Sequence, residues 1–132
     1  MIVRPADDGG LLLITQPAHA SLARTVMESC VPLAEHPRRA AILHAIGAHD
    51  NGWAEEDAAP EFDPAGRAVA DFVHVAVPVR HRVWPRAVAA LASDPWAAAL
   101  VAHHAITVYD RYRPDPEWDP DPDEHHCNQG LA

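Results

Sequence analysis

Residues 45–53 read "AIGAHDNGW", and the reading of this stretch decides the fold. Ile42, Ala45, Ile46 and His49 recur at the three- and four-residue spacing of one helix face. Asn51 and Gly52, residue types that end helices, follow directly. The spacing predicts a helix that opens at Pro37, runs through "RRAAILHAIGAHD" and carries His49 and Asp50 on its last apolar turn. A carboxylate there meets the partial negative charge of a helix C-terminus, at a cost of about 0.3 to 1 kcal/mol. A bound cation would reverse that sign.

Two neighbouring segments repeat the pattern. Pro17, after Thr15 or Gln16 as cap, opens "PAHASLARTVMESC", whose apolar line is His19, Leu22, Ala23, Val26 and Cys30. Ser93 or Asp94 caps another helix that starts at Pro95, with "WAAALVAHHAITVYDRY" as its body and Leu100, Val101, His104 and Val108 in register. A further helix is expected over about 83–92, with Pro85 in its first turn. Residues 54–79 read as a loop in which "FVHVAVPV" is a short strand or a buried extended segment. Ahead of all this, "MIVR" and "LLLIT" flank an Asp/Gly turn and form a small hairpin. The expected order is hairpin, α, α, loop, α, α.

Alanine richness and aliphatic bulk favour helices over sheet, so the class is mainly α. A chain of 132 residues supports one core and is too short for two. The globular domain is placed at 1–112. The tail from 113 to 132 has proline at almost every second position of "RPDPEWDPDPDE", which forbids helix and sheet ladders, so it reads as acidic and disordered. The net charge of −9, with all ten basic residues arginine and none clustered, excludes a nucleic-acid surface. Cys30 and Cys127 imply no disulfide framework, and no stretch has the form of a leader or the length of a membrane span. A cytoplasmic setting with no membrane partner follows as the expectation.

One inward histidine is ordinarily a hydrogen-bonded core residue. Here His19, His49 and His104 each stand in the apolar line of a different helix, and Asp50 adjoins one of them. Burying these groups costs several kcal/mol unless something satisfies them. A divalent cation satisfies all four together, and imidazole with carboxylate suits Zn, Mn or Fe. The competing reading is a histidine-rich core joined by ordered water.

The motifs "LLLITQPAHASLA", "HDNGW", "DPAGR" and "LVAHHAITVYDRY" resemble an uncharacterised bacterial domain-of-unknown-function family with an HD-like helical fold, over about residues 1–112. More distantly, "HD" at a helix end with a histidine one helix earlier resembles the HD-domain metal-dependent phosphohydrolases. The resemblance implies an HD-domain-like bundle with His19, His49, Asp50 and His104 as metal ligands, and activation of water by a divalent metal for attack on phosphorus. It makes Asp50 a catalytic group.

HD enzymes carry a further aspartate, for which Asp57 and Asp110 are the candidates; Asp57 would serve as ligand or general base, while Asp110 shares a face with His103 and reads as solvated. Trp53 stands where some HD enzymes place a phosphate-binding lysine. Arg111, seven residues after His104, lies on the face that would reach a bound phosphate. The function expected is metal-dependent hydrolysis of a small phosphorylated metabolite or nucleotide. The alternative is a helical module that binds metal or ligand without turnover.

Overall fold

The structure is a computed structural model that describes residues 1–62 and 68–111. Its elements are β1 (Ile2–Pro5), β2 (Leu11–Ile14), α1 (Gln16–Glu28), α2 (Val31–Ala34), α3 (Arg39–Ala48), a 3-10 turn (Asn51–Trp53), α4 (Ala54–Ala58), α5 (Val77–Ala89) and α6 (Pro95–Arg111). The class is mainly α with a short antiparallel hairpin, as expected. The proposed tail, 113–132, lies outside the described residues, and so does the side chain of Asp110.

The hairpin pairs Ile2 with Ile14 and Pro5 with Leu11. Its turn is closed by the Asp8 carboxylate, which accepts from the Gly10 N–H at 2.9 Å, and by Gly9 at φ 83°, a backbone region that L side chains rarely enter. Helix α1 begins where its residues say it should. The Thr15 hydroxyl accepts from the Ala18 N–H, and Pro17 occupies the first turn, where its missing N–H costs nothing. Asp94 does the same for α6 by accepting from the Ala97 N–H at 3.1 Å.

Three sequence expectations are corrected. The inward line of α1 is Gln16 and Ala20 rather than Leu22 and Val26, which are both 63 % exposed. The register that packs on α3 is turned by one residue, so Leu22 and Val26 face away. Second, "FVHVAVPV" is neither strand nor extended segment. Asp71 accepts from the backbone N–H groups of Val73 and His74, which turns the chain, and a helix starts at Val77 with Pro78 in its first turn. Third, Pro85 lies inside α5 and not at its start. It sits on the exposed side, where water can take the carbonyl its ring leaves without a partner. Two short helices, α2 and α4, were not foreseen; four or five residues carry too few turns to show a period.

The core is formed by Ala45, Ala48, Trp53, Val83, Trp84, Ala87, Leu91, Ala97, Val101 and Ala105. Trp53 and Trp84 meet edge to face at 6.5 Å, and alanines elsewhere let the helices approach closely. Helix α3 packs between α1 and α6, and α5 packs on both α6 and the 3-10 turn. Among the described residues no helix is long and apolar enough to cross a membrane.

Candidate metal centre

The junction of α3 and the 3-10 turn places the candidate groups. Helix α3 ends at Ala48, and His49 keeps helical dihedrals (φ −58°, ψ −31°) as its C-cap. The next residue leaves the helix, and the Asp50 carbonyl accepts from the Trp53 N–H at 3.0 Å to start the tighter turn. Two consecutive side chains are thereby turned toward one another: His49 Nε2 lies 3.1 Å from Asp50 Oδ2. The other ring nitrogen, Nδ1, is 2.6 Å from the Ile46 carbonyl. A carbonyl can only accept, so Nδ1 carries a proton and donates. Nε2 is then the free donor atom in the neutral ring. An imidazole anchored on a backbone carbonyl in this way is how proteins orient a metal-ligating histidine.

Helix α1 brings the third group. One donor atom each from His19, His49 and Asp50 lies within 4.8 Å of the others. Donors held about 2.1 Å from one ion in a tetrahedron would be about 3.4 Å apart, so a small side-chain rotation closes the set. Asp50 is only 3 % exposed, and a carboxylate buried to that degree demands a charged partner. The donor types, their convergence and the anchored tautomer all fit a divalent transition ion. Three protein ligands leave coordination positions open.

His104 does not belong to that three-residue group. Its ring lies edge to face with His49 at 4.6 Å and with Trp84 at 5.8 Å, while His19 lies 5.7 Å from His49. The three imidazoles form a row of ring contacts in which His49 touches both of the others. His104 is thus next to the cluster, against the ring of His49.

The row has opposite electrostatics at its two members on α3 and α6. Burial would lower the His49 value, but the hydrogen bond and charge of Asp50, with the Ile46 carbonyl, carry it above the ordinary 6.5. Burial lowers His104, and the neighbouring His49, His19 and His103 lower it further against the pull of Asp50. In metal-free protein, the His49 pair contributes stability in full below pH 6.5 and loses it as pH rises through the folded value above 6.5. The neutral His104 contributes above pH 6.5 and loses its contribution as pH falls through its lower folded value. Titration of the imidazole protons by NMR should place His49 above and His104 below the ordinary value. Equal midpoints for the two rings would contradict this arrangement.

The other expected site residues lie elsewhere. Asp57 is buried at the start of α1, where Oδ1 pairs with the Met1 ammonium at 2.8 Å and Oδ2 accepts from the Gln16 N–H. Both oxygens are engaged, which suits a clamp between hairpin, α1 and α4 rather than a general base. Asp57→Ala should lower stability by about 2 kcal/mol, read as a shift of the urea midpoint, because charge-assisted partners lose their acceptor. Trp53 is 1 % exposed in the core, and among the described residues its Nε1 has no hydrogen-bond partner. Arg111 is exposed in the last turn of α6, about 10 Å of helix rise beyond His104.

A cleft of about 270 Å³ opens between α3 and α6, lined by Ile42, Ala45, Ile46, His49, Leu100, Val101 and His104. No arginine lines it. Several of the described arginines are held elsewhere: Arg24 on Glu28, Arg39 on the Glu28 carbonyl, Arg38 over the Trp96 ring, Arg82 on Glu56, and Arg86 on Glu55, Glu56 and the Gly52 carbonyl.

Sequence reasoning missed Gln16, which is 3 % exposed, has an unpartnered Oε1 and stands three residues before His19. Nothing in the sequence marks Gln16 as buried, because only packing against α3 fixes which side of α1 faces inward.

Comparison of the chain with curated proteins and with solved structures yields no significant match. A family model described as "Protein of unknown function (DUF3891)" matches residues 1–129, spanning the hairpin, the histidine row and the cleft. The chain belongs to that family, DUF3891.

Proposed function

We propose that this protein is a metal-dependent hydrolase of HD-like kind, acting on a small phosphorylated metabolite through a divalent ion held by His19, His49 and Asp50. The observation that carries the reading is the convergence of those three donors within 4.8 Å with His49 anchored through Nδ1. A Zn, Mn or Fe ion there would supply Lewis-acid activation of water and offset charge on phosphate oxygens.

The chain's own residues have definite roles. The Ile46 carbonyl fixes the His49 tautomer, so the lone pair of Nε2 faces Asp50. Asp50 contributes the negative charge that would balance a bound cation and that, without one, holds the proton on His49. His104, neutral at physiological pH, stands beside the ligand set and can donate or accept one hydrogen bond to a bound group. Trp84 packs against His104 and limits its ring motion.

A second reading rests on the lining of the cleft. Phosphate recognition ordinarily uses arginine or lysine, and no such side chain lines this opening. That favours a helical module that binds metal or ligand without turnover. Metal analysis of purified protein, together with generic phosphomonoester and phosphodiester substrates, separates the two. Stoichiometric metal with turnover supports the hydrolase. Stoichiometric metal without turnover supports the binding module.

A further inference from the structure

We infer that the cleft between α3 and α6 takes the short aliphatic chain of an amphiphile whose anionic head meets the metal centre, so that an alkyl phosphate fits this site better than a nucleotide. The inference rests on the metal reading above and names the ligand class for the same site.

The first ground is the chemistry of the walls. Ile42 and Ile46 from α3 face Leu100 and Val101 from α6, and the only polar lining is the imidazoles of His49 and His104. The His104 ring can meet a head group beside the ion position, while the four aliphatic side chains can meet only methylenes. The second ground is continuity. His49 is both a wall of the cleft and a member of the donor group, so a molecule in the cleft lies one imidazole away from the ion position. The third is size. An open cleft of about 270 Å³ suits a short alkyl chain. Fourth, Leu100 remains 37 % exposed at the cleft's rim, apolar surface that an alkyl chain would cover. A nucleotide would instead need several donors and acceptors for its base edge and sugar, and beyond His49 and His104 the lining is aliphatic.

The test uses the full chain loaded with Mn2+ or Zn2+ and titrated calorimetrically with n-alkylphosphonates from methyl to octyl, beside n-alkanols of the same lengths. Each methylene that enters the cleft should raise phosphonate affinity about fourfold, levelling off once the cleft is filled. The alkanols should show the same dependence on length with weaker binding throughout. Leu100→Gln, a change at a partly exposed position, should flatten the length dependence while metal stoichiometry and helical circular dichroism stay as in the parent protein. Phosphonate binding that does not vary with chain length overturns the inference and leaves the metal reading standing. Length-dependent alkanol binding with no metal-dependent gain from the phosphonate head overturns the metal reading, and with it the amphiphile.

Discussion

Gly52→Ala should lose about 3 kcal/mol or more of stability and accumulate as unfolded or aggregated protein. A Cβ at this position would lie 2.1 Å from the Val83 carbonyl oxygen and 3.0 Å from both the backbone nitrogen and Cβ of Ala87. The nearest atom is backbone in the middle of α5, so no flexible side chain can move aside. Overpacking usually costs about 1 to 3 kcal/mol, and a contact this short against a rigid helix belongs at or beyond the upper end. For a chain of this size the loss corresponds to a melting temperature lower by roughly 10 °C. Thermal denaturation followed by circular dichroism measures it. A variant that melts within a degree or two of the parent would show that the 3-10 turn does not pack on α5 as described. The backbone conformation of Gly52 is ordinary, since among the described glycines the one with positive φ is Gly9. Its smallness matters only because two elements touch there.

Asp50→Asn should abolish most of the response to divalent metal while leaving the fold intact. The substitution keeps shape and hydrogen-bonding capacity but removes the charge that balances the cation, and loss of a ligand of this kind should weaken affinity about 100-fold or more. At metal concentrations 100 times the dissociation constant, the parent gains about 2.7 kcal/mol from binding, a rise in melting temperature of about 10 °C. The variant at the same concentration should gain less than about 0.5 kcal/mol. Melting curves with chelator and with Zn2+ or Mn2+ read the difference. Parent protein that ignores both chelator and metal would leave the histidine row as a hydrogen-bonded core and remove the basis for hydrolysis. Affinity in the parent should also rise as pH climbs through the His49 value above 6.5, because the proton that His49 holds competes with the ion.

Local chemistry made much of this protein legible before any coordinates. Thr15 with Pro17, Asp94 with Pro95, and the Asp-Asp-Gly-Gly turn each act within four residues, so helix starts and the hairpin could be read directly. The adjacency of His49 and Asp50 at the end of α3 is likewise a local fact, and it pointed to the cluster. What period alone could not decide was which side of a helix faces in. In α1 the Leu22–Val26 line and the Gln16–Ala20 line are neighbours on the same cylinder with His19 between them, and only packing against α3 turns the second inward. The role of Asp57 required the hairpin to bring Met1 beside it, and the role of Gly52 required α5 to lie against the 3-10 turn. His104 stood out in sequence as an equal of the other ligands, yet the distance between α3 and α6 places it beside the donor group instead of within it. Sequence thus determined the hairpin, the starts of α1 and α6 and the adjacency of His49 and Asp50, because capping and turn chemistry are short-ranged. Only the tertiary structure decided which side chains converge and that an apolar cleft adjoins them, because both depend on contacts between helices distant in sequence, α1 with α3 and α3 with α6.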